Sequence, residues 1–341
     1  MSKLTSMLFA ALLWPCFAGA QVPASYHATA LGSGTALAMN NQGQVVGLDA
    51  HDRPTIWSRT GVATALAGQV YQPYISGIND DGTVVGQGLL TDPDLGGYYQ
   101  PLIWRPGASA ERIDLPGLGG NTYGINQRGD IIGIVAMPGE PYTTMGFLKR
   151  DSGTVYFEHF YPTGINDAGH VVGSGANDIQ LWRDGNFSQV GEQCCGFPGH
   201  INNQDWIIGT YDNFHTGLWR DGVFTETWEG YSRDINDAGM VVGSSSYASA
   251  VLWYEGEVYE LDHLWHEPQW HDWLLTTAVA INERGEIAAE AKNIVSGEFM
   301  IVLLSPVPEP SHVALLLAGL LLLGGLHRAI ARNAIATVRT I

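Results

Sequence analysis

The same apolar–polar rhythm returns seven times along the chain. An apolar residue precedes Asn, two polar residues follow, then Gly, and then a short apolar run closed by Gly. Its clearest form is Gly164-Ile165-Asn166-Asp167-Ala168-Gly169-His170-Val171-Val172-Gly173. The seven leading asparagines are Asn40, Asn79, Asn126, Asn166, Asn202, Asn236 and Asn282. Two apolar runs joined by Asn, two polar residues and Gly predict a hairpin, with a type I turn and the Gly left-handed. Asn accepts backbone hydrogen bonds across such a turn. In the fifth repeat Asp205 takes the Gly place, and Asp is among the few residues that tolerate positive φ.

A third strand ends at tryptophan in five repeats: Trp57, Trp104, Trp182, Trp219 and Trp253. The third and seventh repeats carry Phe147-Leu148 and Met300-Ile301-Val302 there. Turns such as Arg183-Asp184-Gly185 then lead to a fourth short strand. The leading asparagines are 39, 47, 40, 36, 34 and 46 residues apart, the dimension of a four-stranded propeller blade. The seventh repeat runs out after three strands, while residues 26–31 precede the first turn and have no repeat of their own. Pairing the two would complete the last sheet and remove an open edge. The expected fold is therefore all-β: a seven-bladed β-propeller over residues 21–305, closed by an N-terminal strand. An open β-solenoid is the alternative.

Composition agrees with short strands and tight turns. Only 15% of residues are charged, 43 are Gly, and 11 are Trp. The net charge is −18, and all 34 acids lie between positions 21 and 310 beside 12 Lys and Arg. Such a surface repels nucleic acid and anionic lipid.

The ends follow a different pattern. Residues 1–20 carry Lys3, an apolar stretch over 7–14, and Ala18-Gly19-Ala20, which predicts a signal helix cleaved before Gln21. Residues 313–326 are uncharged and Leu-rich, about 21 Å as a helix. A bilayer core is about 30 Å thick. Ala329 and Ile330 extend the run, and Arg328, Arg332 and Arg339 follow with no acid, which predicts a transmembrane helix with a cytoplasmic basic tail. Val307-Pro308-Glu309-Pro310-Ser311 lies just ahead.

This tripartite end, on a chain with a signal peptide, resembles the PEP-CTERM sorting signal of Gram-negative bacteria. The resemblance implies an exosortase partner, a membrane-anchored intermediate over residues 306–341, and delivery to the cell surface or extracellular matrix. The tail departs from the family by running on to Ile341. The repeats resemble those of HAF-repeat extracellular proteins, although only His215-Thr216-Gly217-Leu218-Trp219 keeps the histidine. That resemblance implies a repeat-built surface protein and names no reaction.

Candidate chemistry is sparse. In a propeller with the Asn-bearing strand innermost, the long connections at 87–99 and 135–144 share the side opposite the seven turns, where variable loops bind ligands. The stretch from Leu261 to Trp273 falls there. Its His263, Trp265, His266, Trp270, His271 and Trp273 suggest a ligand face, either a sugar-stacking platform or an aromatic cover; their spacing matches no metal motif. Cys194 and Cys195 allow a disulfide between neighbours or two separate thiols. Asp80-Asp81 and Asp92-Pro93-Asp94 suggest weak Ca²⁺ binding at most, and no cofactor is implied. No nucleophile elbow, phosphate loop or zinc-protease motif occurs, so the catalytic set is empty. The leading expectation is a non-catalytic surface or matrix protein binding polysaccharide or protein. The alternative is a secreted glycan-active enzyme, which requires acids clustered near the central channel with one raised pKa.

Overall fold

The computed structural model describes residues 22–91, 97–139, 143–175, 178–190, 196–211, 214–265 and 268–308. Among them the chain is all-β, in antiparallel sheets of four to seven strands. Residues up to Pro306 form one compact unit. Val307–Ile341 separates as another, of which only Val307 and Pro308 are described, both exposed. No described helix is long and apolar enough to cross a membrane. The signal segment, residues 309–341, Cys194, Cys195, His266, Asp92 and Asp94 lie outside the described residues.

The turn chemistry decides each hairpin. The Asn carbonyl accepts the N–H of the residue three places on, at 2.9–3.1 Å in all seven repeats. That residue is left-handed. The six glycines have φ of 71–84°, and Asp205 has 62°. Each Asn side chain, itself buried, then works in two directions. Its Oδ1 accepts the N–H four residues on, at 2.9–3.0 Å in every repeat. In six of the seven its Nδ2 donates to the backbone carbonyl of the next repeat's Asn, Asn282 closing on Asn40. An aspartate could accept but not donate, which is why the position is Asn.

The Asn-bearing strands are Gly34–Met39, Tyr71–Ile78, Gly119–Ile125, Tyr161–Ile165, Gly196–Ile201, residues 230–235 of the long strand Val223–Ile235, and Trp273–Ile281. Val223–Ile235 serves two repeats: its first half is the last strand of one sheet and its second half the first strand of the next. The chain turns the corner at Gly230, where φ is 149°. Every Asn-bearing strand carries a bulge at the same place, between the residues four and two before Asn, or in the fifth repeat four and one before. The bulge brings the backbone of the residue five before Asn close to the Gly of Val-Val-Gly. A Cβ on Gly47 would sit 1.9 Å from the Thr35 oxygen, and one on Gly243 2.0 Å from the Tyr231 oxygen. The seventh repeat has Ala289 in this place, and its strand carries a second irregularity between Leu275 and Thr277.

Adjacent apolar residues after the turn face opposite sides. Val45 packs with Trp57, Ala288 and Leu303, so the first repeat meets the last, while Val46 packs with Ile75 and Trp104 of the second. Tyr26–Gly32 pairs antiparallel with Phe299–Pro306, and Tyr26, Ala28 and Leu31 are buried there. The pairing expected of the stray N-terminal strand is thus present.

Candidate active site

The Asn-bearing strands of all seven repeats line one cavity of about 550 Å³. At its turn end the residues after Asn form a closed cycle. The N–H of Asn41 donates to Asp80, Asp80 to Gln127, Gln127 to Asp167, Asp167 to Asn203, Asn203 to Asp237, Asp237 to Glu283, and Glu283 back to Asn41, each at 2.7–3.1 Å to a side-chain oxygen. Four of these seven side chains are carboxylates.

The wall beyond the cycle is lopsided. The residue two before Asn is small in five repeats: Ala38, Gly77, Gly124, Gly164 and Ala280. A Cβ on Gly164 would lie 2.9 Å from the Gly199 oxygen and 3.2 Å from the His200 Cα. Two adjacent repeats break this rule, with His200 and Asp234. The two side chains meet inside the cavity, His200 Nδ1 lying 3.3 Å from Asp234 Oδ1. Asp234 is held from behind, its Oδ1 accepting the Ile235 N–H and its Oδ2 the Ile281 N–H, both at 2.9 Å. His200 is half exposed, with Nδ1 turned to Asp234.

Glu283 completes the patch. Its side chain is exposed to the cavity, and the partial loss of water there, with the negative charges of Asp237, Asp234 and Asp167, pushes its carboxyl up to about 7. Burial also raises Glu290, against the Ala36 N–H and the Arg233 charge. The fifth to seventh repeats thus present His200, Arg233, Asp234, Asp237, Glu283 and Glu290. The cavity-lining residues of the first three repeats are uncharged.

In the aromatic loop the packing is that of a cover. Trp265 is 6% exposed and belongs to the core; Trp270 meets its ring at 5.6 Å, and Trp273 meets Trp270 at 6.2 Å. An indole sealed in the core offers no surface to a sugar, so the stretch covers the last sheet. His263 and His271 are exposed, beside Glu260 and Asp272 respectively. Asp80 and Asp81 are spent on turn hydrogen bonds. No group of three metal-ligating side chains converges among the described residues.

Sequence inspection missed the cavity patch because it valued the repeats for their sameness. The usable signal was the departure of His200-Ile201-Asn202 and Asp234-Ile235-Asn236 from Gly-Ile-Asn.

No family model matches the chain, and no curated protein matches it. Among solved structures it is similar to the Pyrococcus horikoshii acylaminoacyl peptidase, at 16% identity over 67% of this chain and 45% of that chain, with TM-score 0.45. A polysaccharide lyase of family PL25, an ulvan lyase, shares 13% identity over 80% of this chain and 94% of that one, with TM-score 0.41. Trypanosoma rangeli sialidase shares 7% over 72% and 56%, with TM-score 0.36. The chain spans less than half of the peptidase's length and just over half of the sialidase's.

Proposed function

We propose that the described residues form a seven-bladed β-propeller whose axial channel is the active site of a secreted enzyme hydrolysing glycosidic bonds. The observation that carries this reading is the His200–Asp234 pair, built where two adjacent repeats abandon their small residue, in a cavity that Glu283 of the hydrogen-bond cycle also lines. A binding module needs no such patch, and a channel lined by Gly, Val and Ile would have favoured one. The seven-membered hydrogen-bond cycle and the pairing of Tyr26–Gly32 with Phe299–Pro306 support the closed seven-repeat ring.

The chemistry follows from protonation states. Glu283, protonated up to near-neutral pH, donates to the bridging oxygen as the bond to the anomeric carbon breaks. Water attacks that carbon and gives its proton to His200 Nε2, while Asp234 orients the ring through Nδ1. One bond breaks and one forms, and the two protons pass from Glu283 to the leaving group and from water to His200. The test is release of reducing ends from the producing cell's exopolysaccharide. Wild-type protein is expected to be active and Glu283→Gln about 100-fold slower. No turnover by wild type overturns the enzyme reading.

We further propose export through the N-terminal signal and sorting by an exosortase acting on Val307 to Ser311. The order of motif, apolar run and basic tail supports this. Replacing Pro308, Glu309 and Pro310 together by Ala is expected to hold the protein in the inner membrane. Unchanged release to the surface would refute sorting.

A further inference from the structure

The uncharged side of the channel has a chemistry of its own. Tyr74 and Tyr123 line the cavity, 49% and 37% exposed. Tyr161 and Tyr231, 41% and 44% exposed, stand five residues before Asn, the register of Tyr74. The other residues in that register are Thr35, Asn121, Phe197 and Thr277, all uncharged. Tyr231 packs edge-on against Phe214 at 5.9 Å, whereas the two cavity-lining phenols have no ring partner among the described residues. An amphipathic ring presents a flat apolar face and a polar tip, the complement of a pyranose with its apolar C–H face and equatorial hydroxyls.

We propose that Tyr74 and Tyr123, on the uncharged wall of the channel, bind an uncharged pyranose chain, a reading that deepens the glycosidase assignment and rests on it. The opposite wall selects the charge. Asp167, Asp234, Asp237, Glu283 and Glu290 outnumber Arg233 and His200 among its lining residues, so a polyuronate meets like charge. A glycan bearing free ammonium groups would be attracted, but it would favour the ionised form of Glu283 and strip the proton the reaction uses. Neutral and N-acetylated sugars avoid both penalties.

The test compares hexasaccharides differing in charge, using the purified Glu283→Gln protein and isothermal calorimetry. The uncharged probes are cellohexaose, mannohexaose and N-acetylchitohexaose. The charged ones are deacetylated chitohexaose and hexagalacturonate. At least one uncharged probe is expected to bind, about tenfold more weakly after Tyr74→Ala with Tyr123→Ala, and Tyr74→Trp is expected to restore much of the loss. Binding of charged probes alone, of none, or binding indifferent to both tyrosines overturns the proposal. Wild-type cleavage of the same probes separates the two readings. Tyrosine-dependent binding without cleavage keeps the tyrosine site and removes the enzyme, while cleavage of a charged probe alone does the reverse.

Discussion

At the scale of single residues, seven buried asparagines carry the architecture and Glu283 carries the proposed chemistry. Asn202 satisfies two backbone N–H groups of its own turn and donates to the Asn236 carbonyl. Replacing it by Ala strands buried polar groups on both sides of a repeat boundary. Asn202→Ala is expected to lower stability by about 3 kcal/mol in urea denaturation, and the exposed neighbour change Asn203→Ala by about 1 kcal/mol. The accepting half of this role was legible in the sequence, because a turn needs an acceptor there. The donating half was not, since it depends on which strands lie side by side.

Glu283 makes a pH prediction with a definite sign. Its carboxyl titrates near 7 in the folded chain against an ordinary 4.5. Between those values the folded chain keeps a proton that the unfolded chain releases. Stability from this group is therefore full below about pH 4.5 and lost as pH rises through about 7. Glu283→Gln, neutral at every pH, should melt progressively higher than wild type from pH 4.5 to pH 8. A constant difference across that range would mean the carboxyl is not perturbed.

Among elements, the N-terminal strand matters most. Without Tyr26–Gly32, Phe299–Pro306 would present an unpaired edge and Trp57 would lose its neighbour Leu31. Deleting residues 22–32 is expected to lower the melting temperature and to yield oligomers by light scattering. A monomer melting like wild type would show that the closing strand is dispensable. This element was readable because the strand count left one repeat short. The aromatic stretch from Leu261 to Trp273 was only half legible: its composition allows a binding surface or a cover, and only packing shows that Trp265 faces inward. The bulge in every Asn-bearing strand was also hidden, although the Gly of Val-Val-Gly is its trace, set by the approaching carbonyl.

For the whole molecule, the repeats set up a contrast between sameness and exception. The hydrogen-bond cycle and the layered apolar residues recur through the repeats, and the charged cavity-lining residues come only from the fourth to seventh. A single sequence aligned against itself exposes both, once His200 and Asp234 are read as departures from the small-residue rule. Which departures meet across the lumen is a matter of ring geometry, and no spacing along the chain encodes it.

The central claim is that these departures make an active site. The most direct measurement is glycan turnover by wild type and by His200→Gly, which gives the fifth repeat the Gly its own motif calls for. The protein is expected to keep its cooperative melt, because five other repeats carry Gly or Ala there, and to lose turnover by about 100-fold. Full turnover by the Gly variant with an intact fold would contradict the account.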